Sequence, residues 1–188
     1  MQYIESSNRI RNLAISLAVF AALALYAATY SVRVLRVSQM PGESPPVMRH
    51  KLKPLTDYLE KKVGMKLEFR PVRDGDDLVD SLLAKKLDMV WIDGPNLIRA
   101  KARSNDQVIP LVQRAEDEKA QNDYTWTVRA DMDADLRQKL TDAFLALDKN
   151  NGQDAEILDL QHVSKFIPAR VESNSVIESA ARRANQAQ

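Results

Sequence analysis

The stretch "LVQRAEDEKAQNDYTWTVRADMD", Leu111 to Asp133, decides the fold. Val108 to Val112 is apolar and reads as a strand, and Tyr124 to Arg129 reads as a second strand, rich in aromatic and β-branched residues. Between them the chain is mostly polar and carries no pattern of its own. What joins the two strands sets the domain organisation of the whole chain.

Upstream, strands and helices alternate. Arg33 to Met40 reads as a strand, and "PGESPP" breaks it. Met48, Leu52, Leu55, Leu59 and Val63 recur at three- and four-residue steps, one helical stripe, and Gly64 is placed as its C-terminal cap. Pro54 falls inside that stripe, where a missing N–H predicts a kink or the start of a second helical segment. "MKLEFRPV" reads as a strand, and Asp74 or Asp76 caps a helix carrying Leu78, Val79, Leu82 and Leu83. "LDMVWI" is a continuous apolar strand of the kind buried on both faces of a parallel sheet. Gly94 and Pro95 then open a helix that leads to "QVIPLV".

Downstream of the polar stretch, Asp131 or Asp133 caps a helix with Leu136, Leu140, Phe144 and Leu147 on one side. A short helix near Ala155 to Leu160, an extended "KFIPA" and a helix over about Ser175 to Asn185 close the chain. The alternation predicts an α/β sheet with right-handed crossovers.

Composition narrows the function classes. With 27 basic and 26 acidic side chains, the formal charge of +1 gives no field that selects nucleic acid. The absence of cysteine excludes disulfides, thiolate catalysis and iron–sulfur clusters. His50 and His162 lack metal-ligand spacing, and no nucleophile-elbow, phosphate-loop or zincin motif occurs, so neither catalysis, metal nor cofactor is expected. Leu13 to Tyr30 is uncharged, follows Arg9 and Arg11, and has about the length that spans a bilayer, roughly 17–20 residues. It reads as a signal peptide or a membrane anchor over residues 1–31, with residues 32–188 on the outer side.

"LRVSQMPGESP", "KPLTDYLEKKVGMKLEFRPVRD", "LLAKKLDMVWIDGP", "VIPLVQRAEDEK", "YTWTVRADMDADLRQKLTDAFLALD" and "ILDLQHVSKFIPA" are six ordered blocks running from about Leu35 to near the C-terminus. They resemble the periplasmic substrate-binding proteins of ABC importers for phosphonate, phosphite and phosphate, and within that family the selenate-binding branch. The resemblance implies the type II periplasmic-binding-protein fold: two α/β lobes with an oxyanion held in the cleft between them, and an ABC permease in the inner membrane as partner. In that family the chain leaves the first lobe after a segment like "RAEDEK", builds the second lobe, and returns at one like "YTWTVR". Here only "AQND" separates the two, so the resemblance implies a single lobe, with the second absent between about residues 119 and 124. The family's phosphate-cradling Ser/Thr-Gly turn belongs to the missing part.

Within the lobe the resemblance points to three places for ligand contacts. The first is the turn Pro41-Gly42-Glu43-Ser44 after the first strand, where Ser44 offers a hydroxyl and Glu43 would repel an anion, and which also reads as a plain strand-to-helix connection. Gly75 stands where relatives commonly carry a ligand-contacting Tyr. In "WIDGPN", Trp91, Asp93, Gly94 and Asn96 lie at a helix start, where backbone N–H groups of Asn96 and Leu97 favour an anion; relatives commonly have Gly at the position of Asp93. The expected function is an extracytoplasmic solute-binding component for a phosphonate, phosphate or selenate-type oxyanion, located in the periplasm and weakened by the missing lobe. The alternatives are a membrane-tethered interaction or sensor module and a deletion remnant that binds nothing.

Overall fold

The computed structural model describes residues 34–115 and 124–170. The N-terminal apolar segment, the core of the link at 116–123 and the expected helix over 175–185 lie outside the described residues. The elements run β1 (Val34–Gln39), α1 (Pro45–Val63), β2 (Lys66–Phe69), α2 (Gly75–Leu83), β3 (Met89–Asp93), α3 (Gly94–Ser104), β4 (Val108–Arg114), β5 (Tyr124–Arg129), α4 (Ala134–Leu145), α5 (Gly152–Leu160) and β6 (Phe166–Pro168).

The strands form one sheet in the order β2-β1-β3-β5-β4-β6. β1 runs parallel to β2 and β3, whereas β5 is antiparallel to both β3 and β4, and β6 is antiparallel to β4. The sheet is therefore mixed, where the alternation of elements alone predicts a parallel one. The reason lies in the connections: each of the first three strands is followed by a helix that carries the chain back, but β5 returns directly beside β4 and inserts between it and β3. Pro110 sits inside β4, and the register shifts between Pro110 and Val112, a bulge that accommodates a residue with no N–H to give the ladder.

Side chains alternate across β3. Met89 and Trp91 join the larger core beneath α1, α4 and α5, together with Leu52, Leu55, Trp126, Leu140, Phe144 and Phe166. Val90 and Ile92 join the smaller core with Leu78, Val79 and Leu82 of α2 and Ala100 of α3. Burial on both faces explains the uninterrupted apolar run of this strand.

Helix α1 is continuous through Pro54. The carbonyl that loses its donor belongs to His50, which is exposed, so water can take the place of the missing hydrogen bond. Gly64 closes the helix with a left-handed φ of 70°, its N–H donating to the Glu60 carbonyl at 2.9 Å. The expected acidic caps resolve to Asp74 and Asp133, whose carboxylates accept from the N–H groups of Asp77 and Leu136. At the sheet edge, Glu60 reaches past the end of α1 to accept the Leu67 N–H at 2.9 Å, which covers a donor of β2.

At the end of the sheet where β1 and β3 begin, Asp88 ties three adjacent strands together. Arg36 of β1 donates its backbone N–H and Nε to Oδ2 at 2.8 Å and its Nη2 to Oδ1 at 2.9 Å, and Arg129 of β5 donates to Oδ1 at 3.0 Å. Arg129 also donates to the Leu87 carbonyl. Burial alone pushes the Asp88 carboxyl upward, but these hydrogen bonds and the charge of Arg36 outweigh it and hold the group below the usual carboxylate range.

Candidate functional site

The topology brings the C-terminal ends of β1, β3 and β4 to one edge of the sheet, with the starts of β5 and β6 beside them: Asp93 pairs with Tyr124, and Arg114 with Phe166. The link from β4 to β5 leaves from this same edge. A cleft of about 350 Å³ opens there. Trp91, Met48 and Leu160 form apolar parts of its lining, and Arg114 and Lys51 bring positive charge.

The aromatic support is layered. Tyr124 stacks on Trp91 with ring centroids 5.6 Å apart, and Trp91 in turn meets Trp126 at 5.3 Å and Phe166 edge-on at 5.9 Å. Trp126 then stacks on Phe144 of α4 at 5.5 Å. The guanidinium of Arg114 lies over the Tyr124 ring, 5.4 Å from its centroid, so a cation is placed at the cleft by a rigid column that reaches into the core. Lys51, on the first turns of α1, pairs with Glu43 at 2.8 Å. Glu43 thus offsets part of the positive charge at the rim.

The six residues singled out from the sequence divide into three groups. Trp91 lines the cleft and is buried beneath it. Gly75, Asp93, Gly94 and Asn96 come together where the starts of α2 and α3 meet: Asp93 caps α3, its Oδ1 accepting the Asn96 N–H at 3.0 Å and the Asn96 Nδ2 at 2.8 Å. A Cβ on Gly75 would lie 2.9 Å from both polar atoms of the Asn96 carboxamide, so glycine is what lets α2 approach this closely. The Asn96 amide expected as an anion donor is thereby engaged by Asp93, a carboxylate that already occupies the helix start. Ser44 is exposed at the first turn of α1, makes no capping hydrogen bond, and does not line the cleft. The helix behind it opens with Pro45 and Pro46, which have no N–H, so this N-terminus offers few donors to an anion.

Arg114, Tyr124, Lys51, Gln161 and His162 line the cleft without having been singled out from the sequence. Arg114 and Tyr124 had a readable signal, since they end and begin the two strands that flank the decisive link. Lys51 lies beside the apolar stripe of α1, one turn from Met48. Gln161 and His162 had none: they follow α5, and only the fold returns them to this edge. Among the described residues no group of three metal-ligating side chains converges, and no helix is long and apolar enough to cross a membrane.

Residues 37–125, a little under half of the chain, match the family model described as ABC transporter, phosphonate, periplasmic substrate-binding protein. Among solved structures, the chain is similar to PhnD1 from Prochlorococcus marinus in complex with methylphosphonate, with 14% identity, a TM-score of 0.70, and 82% of this chain and 99% of that one covered. It is also similar to a binding protein component of an ABC phosphonate transporter from Pseudomonas aeruginosa, with 10% identity, a TM-score of 0.66, and coverage of 74% and 82%. XAC2383 from Xanthomonas citri, bound to ATP, follows with 10% identity, a TM-score of 0.59, and coverage of 78% and 94%. Among curated proteins no match is found. The described residues form a single-sheet α/β domain of the periplasmic-binding-protein fold, and the matched part, from β1 into β5, is similar to the substrate-binding proteins of phosphonate ABC transporters.

Proposed function

We propose that this chain is the extracytoplasmic solute-binding component of an ABC importer, built from one lobe, and that it takes a phosphonate, phosphate or selenate-type oxyanion at the cleft of Trp91, Arg114 and Tyr124. The observation that carries the reading is the family match over residues 37–125, which runs through all three of these residues. The methylphosphonate held by the similar PhnD1 supports the ligand class. Binding requires no reaction, and the cleft supplies cations and an apolar lining rather than a nucleophile with its base.

The one-lobe reading is supported by the pairing of β4 with β5 from Val108 opposite Arg129 to Gln113 opposite Thr125. Strands so paired need only a loop between them, and residues 115–123 have a loop's length, far below the roughly 100 residues of a domain. A single lobe leaves one side of the ligand in water. Losing three or four hydrogen bonds of about 1.5 kcal/mol each weakens binding by several orders of magnitude relative to a closed clamshell. The apolar, uncharged stretch Leu13 to Tyr30 supports export, as a signal or an anchor, toward a permease in the inner membrane.

The test is isothermal titration calorimetry of the purified protein at low salt with methylphosphonate, phosphate and selenate. Saturable heat with at least one of them, lost on Arg114→Ala, is the expected result. No heat from a folded sample would retire the receptor reading. A docking module would then take its place, for which the exposed Val47 of α1 and Ile98 of α3 supply apolar surface.

A further inference from the structure

Helix α1 carries the chain from the end of β1 back to the start of β2, so its last turn, with Lys61 and Lys62, lies at the end of the sheet where these strands begin. Lys66 opens β2 opposite Val34 of β1. On the other side of β1, Lys85 and Lys86 follow α2 and lead into β3. All five lysines are exposed, and Val34, between the two groups, is an exposed aliphatic side chain at 40%. Glu60 pairs with Lys66 at 3.0 Å and Asp131 with Lys85 at 2.6 Å, whereas Lys61 and Lys86 have no carboxylate partner among the described residues. This surface is therefore positive in a chain whose formal charge is only +1. Lys61 and Lys62 complement the carboxyl end of α1, but Lys66 stands on a strand and gains nothing of that kind.

We propose that this lysine surface seats the domain on a bilayer of anionic phospholipid. The proposal rests on the anchor reading of Leu13 to Tyr30 and deepens it. Val34 follows Tyr30 by four residues, which reach at most about 14 Å, so a bilayer that holds the apolar stretch lies within that distance of the start of β1. Lysines held near anionic headgroups each strengthen association by about fivefold, and an aliphatic side chain among them suits the boundary between headgroups and acyl chains. Asp133 and Asp135, at the start of α4, limit the seat on the β5 side. The cleft opens at the opposite end of β1 and β3 and stays accessible to solute.

The chain has no cysteine, so one introduced cysteine takes a dye at a single place. Ala84→Cys puts the dye beside Lys85 and Lys86, and Ser44→Cys puts it at the far end of α1, a helix of 19 residues and so about 28 Å long. The full chain carrying either dye is reconstituted into vesicles that bear a quencher on the lipid headgroup, made of phosphatidylcholine alone or with about one third phosphatidylglycerol. The expected result is at low salt: the dye at position 84 is quenched about threefold more in the anionic vesicles than in the neutral ones, and the dye at position 44 in neither. Salt at about 0.5 M should erase the difference. Lys61→Gln and Lys86→Gln together should remove most of it.

Equal quenching at position 84 in the two kinds of vesicle would overturn the proposal and leave the lysines as partners of helix ends. So would a difference undiminished in the paired lysine variant, or one of the same size at position 44. Release of the chain from the vesicles by alkaline carbonate would overturn the anchor reading and the proposal with it, a result distinct from the other three.

Discussion

The carboxamide of Asn96 stands 2.9 Å from the point that a Cβ on Gly75 would occupy. Two helix starts are locked together by this contact, because the same carboxamide is held by Asp93 at 2.8 Å. In the family that the sequence resembles, a Tyr commonly stands at the position of Gly75. No such side chain fits here while Asn96 keeps its place, so the aromatic contact implied by the resemblance is replaced by a closed polar joint. Gly75→Ala should lower stability by about 1–2 kcal/mol, since the Asn96 side chain must move or give up Asp93. In an Asn96→Ala background the same change should be neutral or stabilising, because alanine is the better residue at a helix start that has room for it. Urea denaturation of the four proteins in the cycle measures this coupling; additive effects would mean that the approach of α2 to α3 does not depend on glycine.

Asp88 sets the acid limb of stability. Its folded carboxyl lies below the ordinary value of about 3.9, so the stabilisation is fully present above that value and is lost as pH falls through the depressed folded one. Asp131, Asp77 and Glu60 are shifted the same way by their hydrogen bonds, but they are more exposed and count for less. Asp88→Asn should cost about 2–3 kcal/mol at neutral pH, because Arg36 and Arg129 lose their shared partner, and should flatten the fall in stability below pH 4. Thermal melts of the two proteins from pH 7 to pH 3 check both parts. An unchanged acid limb would assign it to the surface carboxylates.

Much of the fold was legible because period and punctuation agreed. The stripe from Met48 to Val63 ended in Gly64, and each of Asp74, Asp93 and Asp133 stood before a run with helical spacing. Strand direction was not legible: no local signal says that Tyr124 returns beside β4 and not on the far side of a crossover. The shape of the cleft was not legible for a related reason. Sequence reading looked for an anion at helix starts, yet Asp93 fills one of them with its own carboxylate, and Pro45 and Pro46 strip donors from another. The residues that line the cleft arrive from five places in the chain: the end of β1 with the turn after it, α1, β3, the ends of the β4–β5 pair, and the end of α5 with its following turn. Trp91 was named from sequence, as part of a motif whose other members face a different joint, and so was the turn Pro41-Gly42-Glu43-Ser44, whose first three residues line the cleft while Ser44 does not.

Glu60 protects an edge. Its Oε1 accepts the Leu67 N–H on the outermost strand, and its Oε2 pairs with Lys66 at 3.0 Å. Glu60→Ala should therefore cost about 1 kcal/mol and leave a strand donor open to solvent or to another chain. Hydrogen exchange of the Leu67 amide should speed up while the amides of β3 stay slow. Unchanged protection at Leu67 would show that the strand pairing with β1, and not the carboxylate, holds this edge.

The charge at the cleft rim makes a prediction whose sign is unusual, since it has a removed side-chain charge improve binding. Glu43 pairs with Lys51 at 2.8 Å, and its side chain is 44% exposed, so it neutralises a cation that an oxyanion would otherwise meet. Glu43→Gln should tighten phosphonate binding by about two- to fivefold at low salt, the range of an exposed charge interaction. Lys51→Ala should weaken it, and by more than the loss of one cation, because Glu43 is then left to repel the ligand. The double variant should fall between the two. Arg114→Ala should cost more than any of these, about thirtyfold, since its guanidinium is fixed on Tyr124 and needs little ordering on binding. Raising the salt to about 0.5 M should shrink the Glu43 effect toward nothing, because the Debye length then falls to about 4 Å. If Glu43→Gln weakens binding instead, the carboxylate contacts a donor on the ligand, and the ligand is one that carries positive charge beside its anion.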